Sequence, residues 1–332
     1  IVEIEETYAK SSVVERNGMK YGVIYLPKFY IDFENKDGRD AGKDVAAEVE
    51  SLKKAGVNGI VLDVRDDGGG SLSTVVDIAG LFIEQGPIVQ IKSAGRKKEV
   101  LYDRDKKIEW DGPLVIMVNS FSASASEILA AAIQDYKRGI IIGSKQTYGK
   151  GTVQNVIDLN QFVRSSSSGD LGALKTTTQK FYRINGGSTQ LEGVSSDIVM
   201  LCVGNDDDVR SVVFGPDGIL AGAHAGMLVV DHTTTSAELA REVSTACAEA
   251  GVGFIDAPVS GGQAGAVNGV LTVMCGADST DDFARFEPVA AAYARACVRL
   301  GNAGSGQLAK MVNQICIAGV VQGLAEGISF AQ

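Results

Sequence analysis

Histidine is missing from the first 201 residues of the chain, and both histidines, His224 and His232, follow that point. All five cysteines also follow it, at irregular spacing and without a C-x-x-C pair. This pattern argues against a metal site and favours a reducing compartment for the second part of the chain. No unbroken apolar run reaches about 18 residues, so the sequence predicts no membrane span. The net charge of −10 argues against a nucleic-acid partner, because phosphate binding requires a basic surface.

Lysine is scarce in the later part of the chain. The residues up to Leu201 hold 17 lysines and 8 arginines, whereas the residues after it hold one lysine, Lys310, and 5 arginines. Acidic residues number 27 and 14, so the two parts carry charges of −2 and −8. This break predicts two domains of separate origin. The predicted bounds are 1–200 for the first domain. The second is predicted to consist of two segments, 201–302 and 303–332.

Two strand–turn–helix patterns stand out in the first part. Ile60–Val64 is an apolar stretch that leads into G-G-G, and Leu114–Val118 leads into a serine-rich turn, with a helix from Glu127. Three consecutive glycines do not fit G-x-G-x-x-G. A serine at a helix N-terminus has backbone N–H groups beside it, which suits an oxyanion hole. Ser124 and Glu127 also fit a capping box, so this stretch alone leaves capping and catalysis equally open.

A nucleophilic serine requires a base, and without histidine the remaining precedent is lysine. A lysine base must be neutral near pH 7, although the reference pKa of lysine is ~10.4. The stretch T-Y-G-K-G-T-V-Q offers Lys150, and strand periodicity places Lys150, Thr152 and Gln154 on one face. The spacing does not fit a phosphate-binding loop. The alternative for Lys150 is a solvated lysine in a turn.

Four segments carry a resemblance to a known family: L-D-V-R-D-D-G-G-G, S-F-S-A-S-A-S-E-I-L-A-A-A-I-Q-D-Y, T-Y-G-K-G-T-V-Q and Q-K-F-Y-R-I-N-G-G-S-T-Q. Together they resemble the C-terminal processing, or tail-specific, serine proteases. The resemblance implies that Ser124 is the nucleophile, with Ser122 and Ser126 as small supporting residues. It further implies these roles: Lys150 as general base, Gln154 as its neighbour, Gly70 and Ala125 as oxyanion donors, and Asp135 as a residue that some relatives need.

This resemblance also implies a fold and a substrate class. The expected fold is a mixed α/β core of crotonase-like type. The expected activity is a serine endopeptidase with a Ser/Lys dyad, without a cofactor, that cleaves proteins or peptides near apolar C-terminal tails. Relatives carry a PDZ module that captures such tails. We expect none here, because residue 1 lies about where the core begins.

After residue 200, strands and helices alternate, which predicts a doubly wound α/β arrangement followed by a long helix from about Ser305. The stretch D-A-P-V-S-G-G places Ser260, Gly261 and Gly262 at the carboxyl end of a strand, where ligands bind in such folds. Helical spacing places Lys310 and Asn313 on one face. A surface lysine is the alternative interpretation of Lys310.

These segments resemble the β-hydroxyacid dehydrogenases of the 3-hydroxyisobutyrate type. The resemblance implies that Ser260, Gly261 and Gly262 bind the substrate carboxylate. It implies that Lys310 is the catalytic acid/base with Asn313 beside it, and that Thr234 lies near the nicotinamide. The implied cofactor is NAD or NADP, but the G-x-G-x-x-G segment that binds its pyrophosphate is missing. We therefore expect an incomplete Rossmann-type half sheet and no dehydrogenase turnover.

The two resemblances meet at S-S-D-I-V-M-L-C-V-G without a linker, which predicts a chimera more readily than a natural fusion. Ile1–Lys10 alternates apolar and charged residues, which predicts a strand and not a secretory signal. The protease resemblance favours a periplasmic or other extracytoplasmic location, whereas the dehydrogenase resemblance favours the cytoplasm. An oligomer is compatible with the sequence.

Overall fold

The computed structural model describes residues 8–16, 18–32, 35, 38–104, 106–162 and 169–331. The chain separates into two compact units, Ile1–Ser196 and Asp197–Gln332. The strand expected at Ile1–Lys10 lies for its first seven residues outside the described part. The expectation of mixed α/β structure with a long C-terminal helix is confirmed.

The first unit contains nine strands and three helices among the residues that the structure describes. In chain order they are β1 (Lys10–Arg16), β2 (Met19–Tyr25), α1 (Ala41–Lys54), β3 (Gly59–Asp63), α2 (Leu72–Gly80), β4 (Gly86–Ser93), β5 (Glu99–Asp103), β6 (Leu114–Val118), α3 (Ala125–Asp135), β7 (Ile140–Gly143), β8 (Thr152–Asp158) and β9 (Ala173–Tyr182).

Two sheets organise this unit. The first has the strand order β1-β2-β3-β6-β7, in which β1 is antiparallel to β2 and the other neighbours are parallel. The second is antiparallel, with the order β5-β4-β9-β8. Parallel strands end at the same edge of a sheet, so the turns after β3 and β6 lie side by side.

The helices α1, α2 and α3 contribute apolar side chains to the core of this unit. In α3 every residue from Ala125 to Ile133 is buried, as expected for a helix that is apolar on all sides. Ser71 caps α2, because its side chain accepts a hydrogen bond from the Thr74 amide at 3.3 Å. Because the first residues of α3 are buried, they hold the preceding serine-rich turn in place.

The second unit has six strands and five helices among its described residues. In chain order they are β10 (Ile198–Leu201), α4 (Asp206–Phe214), β11 (Leu228–Asp231), α5 (Ala237–Glu249), β12 (Gly253–Asp256), β13 (Val259–Ser260), α6 (Gly262–Val267), β14 (Leu271–Ala277), α7 (Thr280–Ala290), β15 (Ala294–Gly301) and α8 (Ser305–Ala331). The strands β10, β11 and β12 are parallel, and β14 pairs with β12, β13 and β15.

The helix α8 differs from the other helices in its exposure. Only Gly306, Gln307 and Lys310 are buried along its 27 residues. By length and composition alone it could cross a membrane, with a mean hydropathy of 1.3 in its most apolar window. The sequence expectation of no membrane span required an unbroken apolar run. Polar residues such as Asn313 and Gln314 interrupt the run but leave the average high, so α8 is a candidate that this criterion missed.

Candidate active site

Ser124 lies between β6 and α3, directly before the first helical residue. Its backbone has φ 58° and ψ −108°, a conformation that is uncommon for a residue other than glycine. Such strain persists only where the surroundings hold it, and it is frequent at functional sites. The Ser124 amide N–H donates to the Glu127 carboxylate at 2.8 Å. This bond supplies the carboxylate side of the expected capping box.

The neighbouring serines use their hydroxyls for structure. The Ser122 hydroxyl donates to the Val64 carbonyl at 2.8 Å, and the Ser126 hydroxyl donates to the Asp67 carbonyl at 2.9 Å. Both serines are fully buried. Ser124 is half-buried, and its side chain accepts from the Glu127 amide in the capping box. Among the described residues its hydroxyl donates to no backbone carbonyl. The structure therefore separates one available serine from two that join the turns after β3 and β6.

Two backbone N–H groups beside Ser124 have no acceptor within the described part of the chain. They belong to Gly70 and Ala125. Gly70 lies against Phe29, and a Cβ at position 70 would lie 2.1 Å from the Phe29 carbonyl oxygen. A Cβ at Gly69 would lie 2.7 Å from the Ser124 Cβ. Gly69 thus allows the turns after β3 and β6 to touch, and Gly70 allows the first of these turns to lie against Phe29. The unpaired N–H groups suit a developing oxyanion.

The backbone of Lys150 is linked to the serine turn through the buried carboxylate of Glu127. Glu127 is fully buried and accepts from the Ser124 amide, the Gly149 amide at 2.7 Å, the Lys150 amide at 2.9 Å and the Thr147 hydroxyl at 2.7 Å. One side chain therefore ties the serine turn to the lysine loop. Among the described residues no carboxylate lies within 4.0 Å of the Lys150 ammonium.

Burial raises the pKa of Glu127, and its four hydrogen bonds oppose that change. The sequence indicated Glu127 only as part of a local cap. Its bonds to the loop at 147–150 join segments that are more than 19 residues apart, so local spacing could not reveal them. No signal short of the fold itself would have identified this residue as the link between the two segments.

Gln154 and Asp135 lie in less direct positions. Gln154 is exposed on β8, two residues after Thr152. Asp135 is the last residue of α3, about 16 Å along the helix from Ser124 at 1.5 Å per residue. Its carboxylate forms a two-bond ion pair with the Arg183 guanidinium, at 2.6 and 3.1 Å. The structure shows an ion pair that joins α3 to the end of β9, and the contribution of Asp135 to catalysis stays a prediction.

In the second unit, the structure brings Lys310 to the D-A-P-V-S-G-G segment. The Lys310 ammonium donates to the Val259 carbonyl at 2.9 Å, one residue before Ser260. Gly261 and Gly262 have φ of 135° and 60° at the start of α6, so this turn requires glycine. Lys310 therefore lies beside the segment that contains Ser260, and the roles that the dehydrogenase resemblance implies for these residues stay predictions.

Asn313 and Thr234 complete the predicted set. Asn313 is half-buried on α8 and donates to the neighbouring Gln314 side chain at 3.4 Å, a marginal distance. Thr234 is exposed after β11. The sequence analysis missed Asp256, whose carboxylate accepts from the Gly304 amide at 2.7 Å and the Gln307 amide at 2.9 Å, and thereby caps α8.

The described helix N-termini of α4 and α5 do not fit the pyrophosphate of a dinucleotide. A pyrophosphate requires free N–H groups and a favourable charge at a helix start. Asn205 occupies the first amides of α4, whose first turn also carries three aspartates. Ser236 caps α5 at the Leu239 amide. The second unit therefore shows a candidate substrate cluster without a matching cofactor cradle in these two helices.

Two family models match the chain. The first, described as peptidase family S41, matches residues 20–200. The second, described as the NAD binding domain of 6-phosphogluconate dehydrogenase, matches residues 160–301. The two matches overlap in residues 160–200, and the structural division between Ser196 and Asp197 falls in that overlap.

Each of the following curated relatives matches only one of the two parts of the chain. A tail-specific protease of Haemophilus influenzae is 44% identical over 197 residues, 59% of this chain and 27% of the relative. An uncharacterized oxidoreductase of Shewanella frigidimarina is 60% identical over 136 residues, 41% of this chain and 46% of the relative. A probable 3-hydroxyisobutyrate dehydrogenase-like protein of Arabidopsis thaliana is 45% identical over 141 residues, 42% of this chain and 46% of the relative. The chain thus spans less than half the length of each.

Proposed function

The chain belongs to peptidase family S41, and we propose that its first unit is a serine endopeptidase with Ser124 as nucleophile and Lys150 as general base. One observation carries this proposal. In the strained turn before α3, the neighbouring serine hydroxyls are bonded to the turn after β3, whereas Ser124 is held beside the unpaired amides of Gly70 and Ala125. A nucleophile next to two free donors is the arrangement that acyl transfer requires.

The proposed chemistry proceeds in two steps. Neutral Lys150 removes the Ser124 proton as the hydroxyl attacks the peptide carbonyl, and the oxyanion binds to the amides of Gly70 and Ala125. The lysine then gives the proton to the leaving amine, and water cleaves the acyl-enzyme with the lysine again as base. Gln154 is proposed to orient the lysine or the substrate from β8.

Exposed apolar side chains around this site support an apolar substrate. Phe121, Tyr148 and Leu191 are 64%, 63% and 80% exposed. The Tyr148 amide donates to the Ser122 carbonyl at 2.9 Å, and the Leu191 amide donates to the Gly149 carbonyl at 2.8 Å. These bonds place both side chains on the segments that carry the proposed nucleophile and base. We therefore propose proteins or peptides with apolar C-terminal tails as substrates.

The test is cleavage of a peptide with an apolar C-terminal tail. Ser124→Ala and Lys150→Ala are each expected to lower kcat/KM by at least about 10³-fold, because neither step proceeds without both groups. Ser120→Ala and Lys180→Ala change exposed residues of the same types and should cleave as the parent does. Equal cleavage by the parent and the Ser124→Ala variant would reject the assignment.

A second candidate function belongs to the second unit. The bond from the Lys310 ammonium to the Val259 carbonyl, beside Ser260, supports binding of a 3-hydroxy acid at this cluster. The corresponding activity is NAD(P)-dependent dehydrogenation. Because α4 and α5 offer no cradle for a pyrophosphate, we expect no turnover by this chain. Appearance of the reduced-nicotinamide absorbance band with a 3-hydroxy acid and NAD or NADP would overturn this expectation.

A further inference from the structure

The turn after β3 contains a second buried carboxyl group near the nucleophile. Asp67 is fully buried, and its Oδ1 accepts a hydrogen bond from the Gly69 amide at 2.7 Å. Its Oδ2 is also buried and has no hydrogen-bond partner among the described residues. An ionised carboxylate with one unpaired buried oxygen is costly, whereas a protonated carboxyl group is less so. This arrangement favours the acid form.

Asp67 is joined to both sides of the proposed reaction centre. Its backbone carbonyl accepts from the Ala123 amide and from the Ser126 hydroxyl, each at 2.9 Å. Its side chain holds Gly69, whose backbone touches Ser124. The carboxyl group, the glycine turn and the serine turn therefore form one hydrogen-bonded block, and a change at Asp67 reaches the oxyanion donors directly.

The nearby charges do not offset the cost of burying an ionised Asp67 carboxylate. Burial is the largest influence and raises the pKa of Asp67 to about 7, against the Gly69 amide, the Ser126 hydroxyl and the field of Lys28, which lower it. Lys28 is exposed, in the segment after β2. Asp66, the adjacent acid, is exposed and accepts from the Asn119 side chain at 2.9 Å.

The carboxyl group also lies near the place where negative charge develops. The Gly70 amide follows Gly69 in the chain, so covalent geometry puts it within about 7 Å of the Asp67 Oδ1. An oxyanion bound there would lie within about 10 Å. At an effective dielectric constant of ~20, repulsion over that distance corresponds to a rate change on the order of tenfold.

Resting on the function proposed above, we propose that Asp67 is a positioning residue that holds the oxyanion turn and must carry a proton for full activity. Ionisation of Asp67 opposes the oxyanion, so activity falls on the alkaline side. This fall is the descending limb of the pH profile, and it belongs to Asp67.

The test compares pH profiles of kcat for cleavage of a peptide with an apolar tail. Asp67→Asn keeps an oxygen for the Gly69 amide and cannot ionise, so it should match the parent at pH 6 and exceed it about tenfold at pH 9. Asp67→Ala loses the bond and should be slower at every pH. Asp66→Asn removes a neighbouring exposed charge and should keep the parent profile. A descending limb that is unchanged in Asp67→Asn would overturn the proposal.

A readout without turnover separates this proposal from the proposed function. In the Ser124→Ala variant, carboxyl ¹³C NMR of labelled aspartate should show one resonance that titrates near neutral pH and is absent when Asp67→Asn is added. Titration of that resonance below pH 5 would overturn the proposal. Loss of cleavage in Ser124→Ala together with such ordinary titration would leave the proposed function standing and Asp67 without the role. Cleavage that survives Ser124→Ala would remove the function, and the Asp67 role in catalysis with it.

Discussion

The two units use a buried carboxylate to place a lysine, but they leave the lysine in different states. In the first, Glu127 binds the backbone amide of Lys150, and within the described residues the Lys150 ammonium has no protein acceptor. In the second, Asp256 binds the Gly304 and Gln307 amides at the start of α8, and the ammonium of Lys310 is bonded to the Val259 carbonyl. A lysine whose backbone alone is fixed has an ammonium free to exchange a proton, whereas a bonded ammonium also stabilises the fold. The comparison teaches that the position of a lysine and the availability of its ammonium are set by different contacts.

The largest effect on stability and activity is expected from a substitution of Glu127, the buried carboxylate that links the serine turn to the lysine loop. Glu127→Ala leaves four donors without their acceptor, and each unsatisfied buried group costs about 1 to 3 kcal/mol. We expect at least about 4 kcal/mol of lost stability and a fall in peptide cleavage beyond about 100-fold. The measurements are kcat/KM and urea unfolding followed by the fluorescence of Trp110, the single tryptophan of the chain.

Glu127→Gln is the matched control for this prediction. It keeps the size of the side chain and one acceptor oxygen, so it should lose less stability than Glu127→Ala while activity still falls. Full activity in Glu127→Gln would show that the carboxylate does not position the serine and lysine segments.

Much of this site follows from the sequence, but its connections do not. The strand Leu114–Val118 has the expected bounds because a short apolar run before a turn is a local signal. Ser124 required the family resemblance, since Ser122 and Ser126 differ from it only through contacts with the turn after β3. Those contacts and the bonds of Glu127 join distant segments, which spacing within one segment does not encode. The ion pair of Asp135 was not foreseen for the same reason, because its Arg183 partner lies 48 residues away.

The buried carboxylates of the second unit predict an unusual dependence on pH. Burial raises the pKa of Asp231 and of Asp256 to about 6 each, above the ~3.9 of an unfolded chain. The folded unit therefore binds more protons between these values, so the stabilisation is complete below pH ~4 and is lost as the pH rises through about 6. We expect each of the two groups to lower the free energy of unfolding by about 3 kcal/mol between pH 4 and 7.5.

The cysteines offer a probe of this unit alone, because all five lie in it and Cys247 is fully buried. Brief labelling of Cys247 along a urea titration, normalised at each pH to the unfolded chain, reports the unfolding of the second unit. Asp256→Asn should flatten the pH dependence. Stability that rises between pH 4 and 6 would contradict the assignment of these groups as buried acids.

A smaller effect is expected at the far end of α3. Asp135 and Arg183 have side chains 10% and 18% exposed, and their pair joins α3 to the end of β9. Asp135→Asn should destabilise the first unit by about 2 kcal/mol, because the guanidinium loses its charged partner. The kcat of peptide cleavage should change less than about threefold under conditions where the unit is folded. A large loss of kcat with unchanged stability would instead support the catalytic role that the family resemblance implies for Asp135.

The smallest effect separates the two lysines directly. Lys310→Met removes the ammonium that donates to the Val259 carbonyl, so the second unit should lose about 1 to 2 kcal/mol, seen as faster labelling of Cys247. Lys150→Met removes an ammonium without a protein acceptor in the described part of the chain, so the Trp110 unfolding curve should shift by less than about 0.5 kcal/mol. The same Lys150 substitution should abolish peptide cleavage. If Lys150→Met destabilised the first unit as much as Lys310→Met destabilises the second, both ammonium groups would be structural, and the contrast between a free and a bonded lysine would be lost.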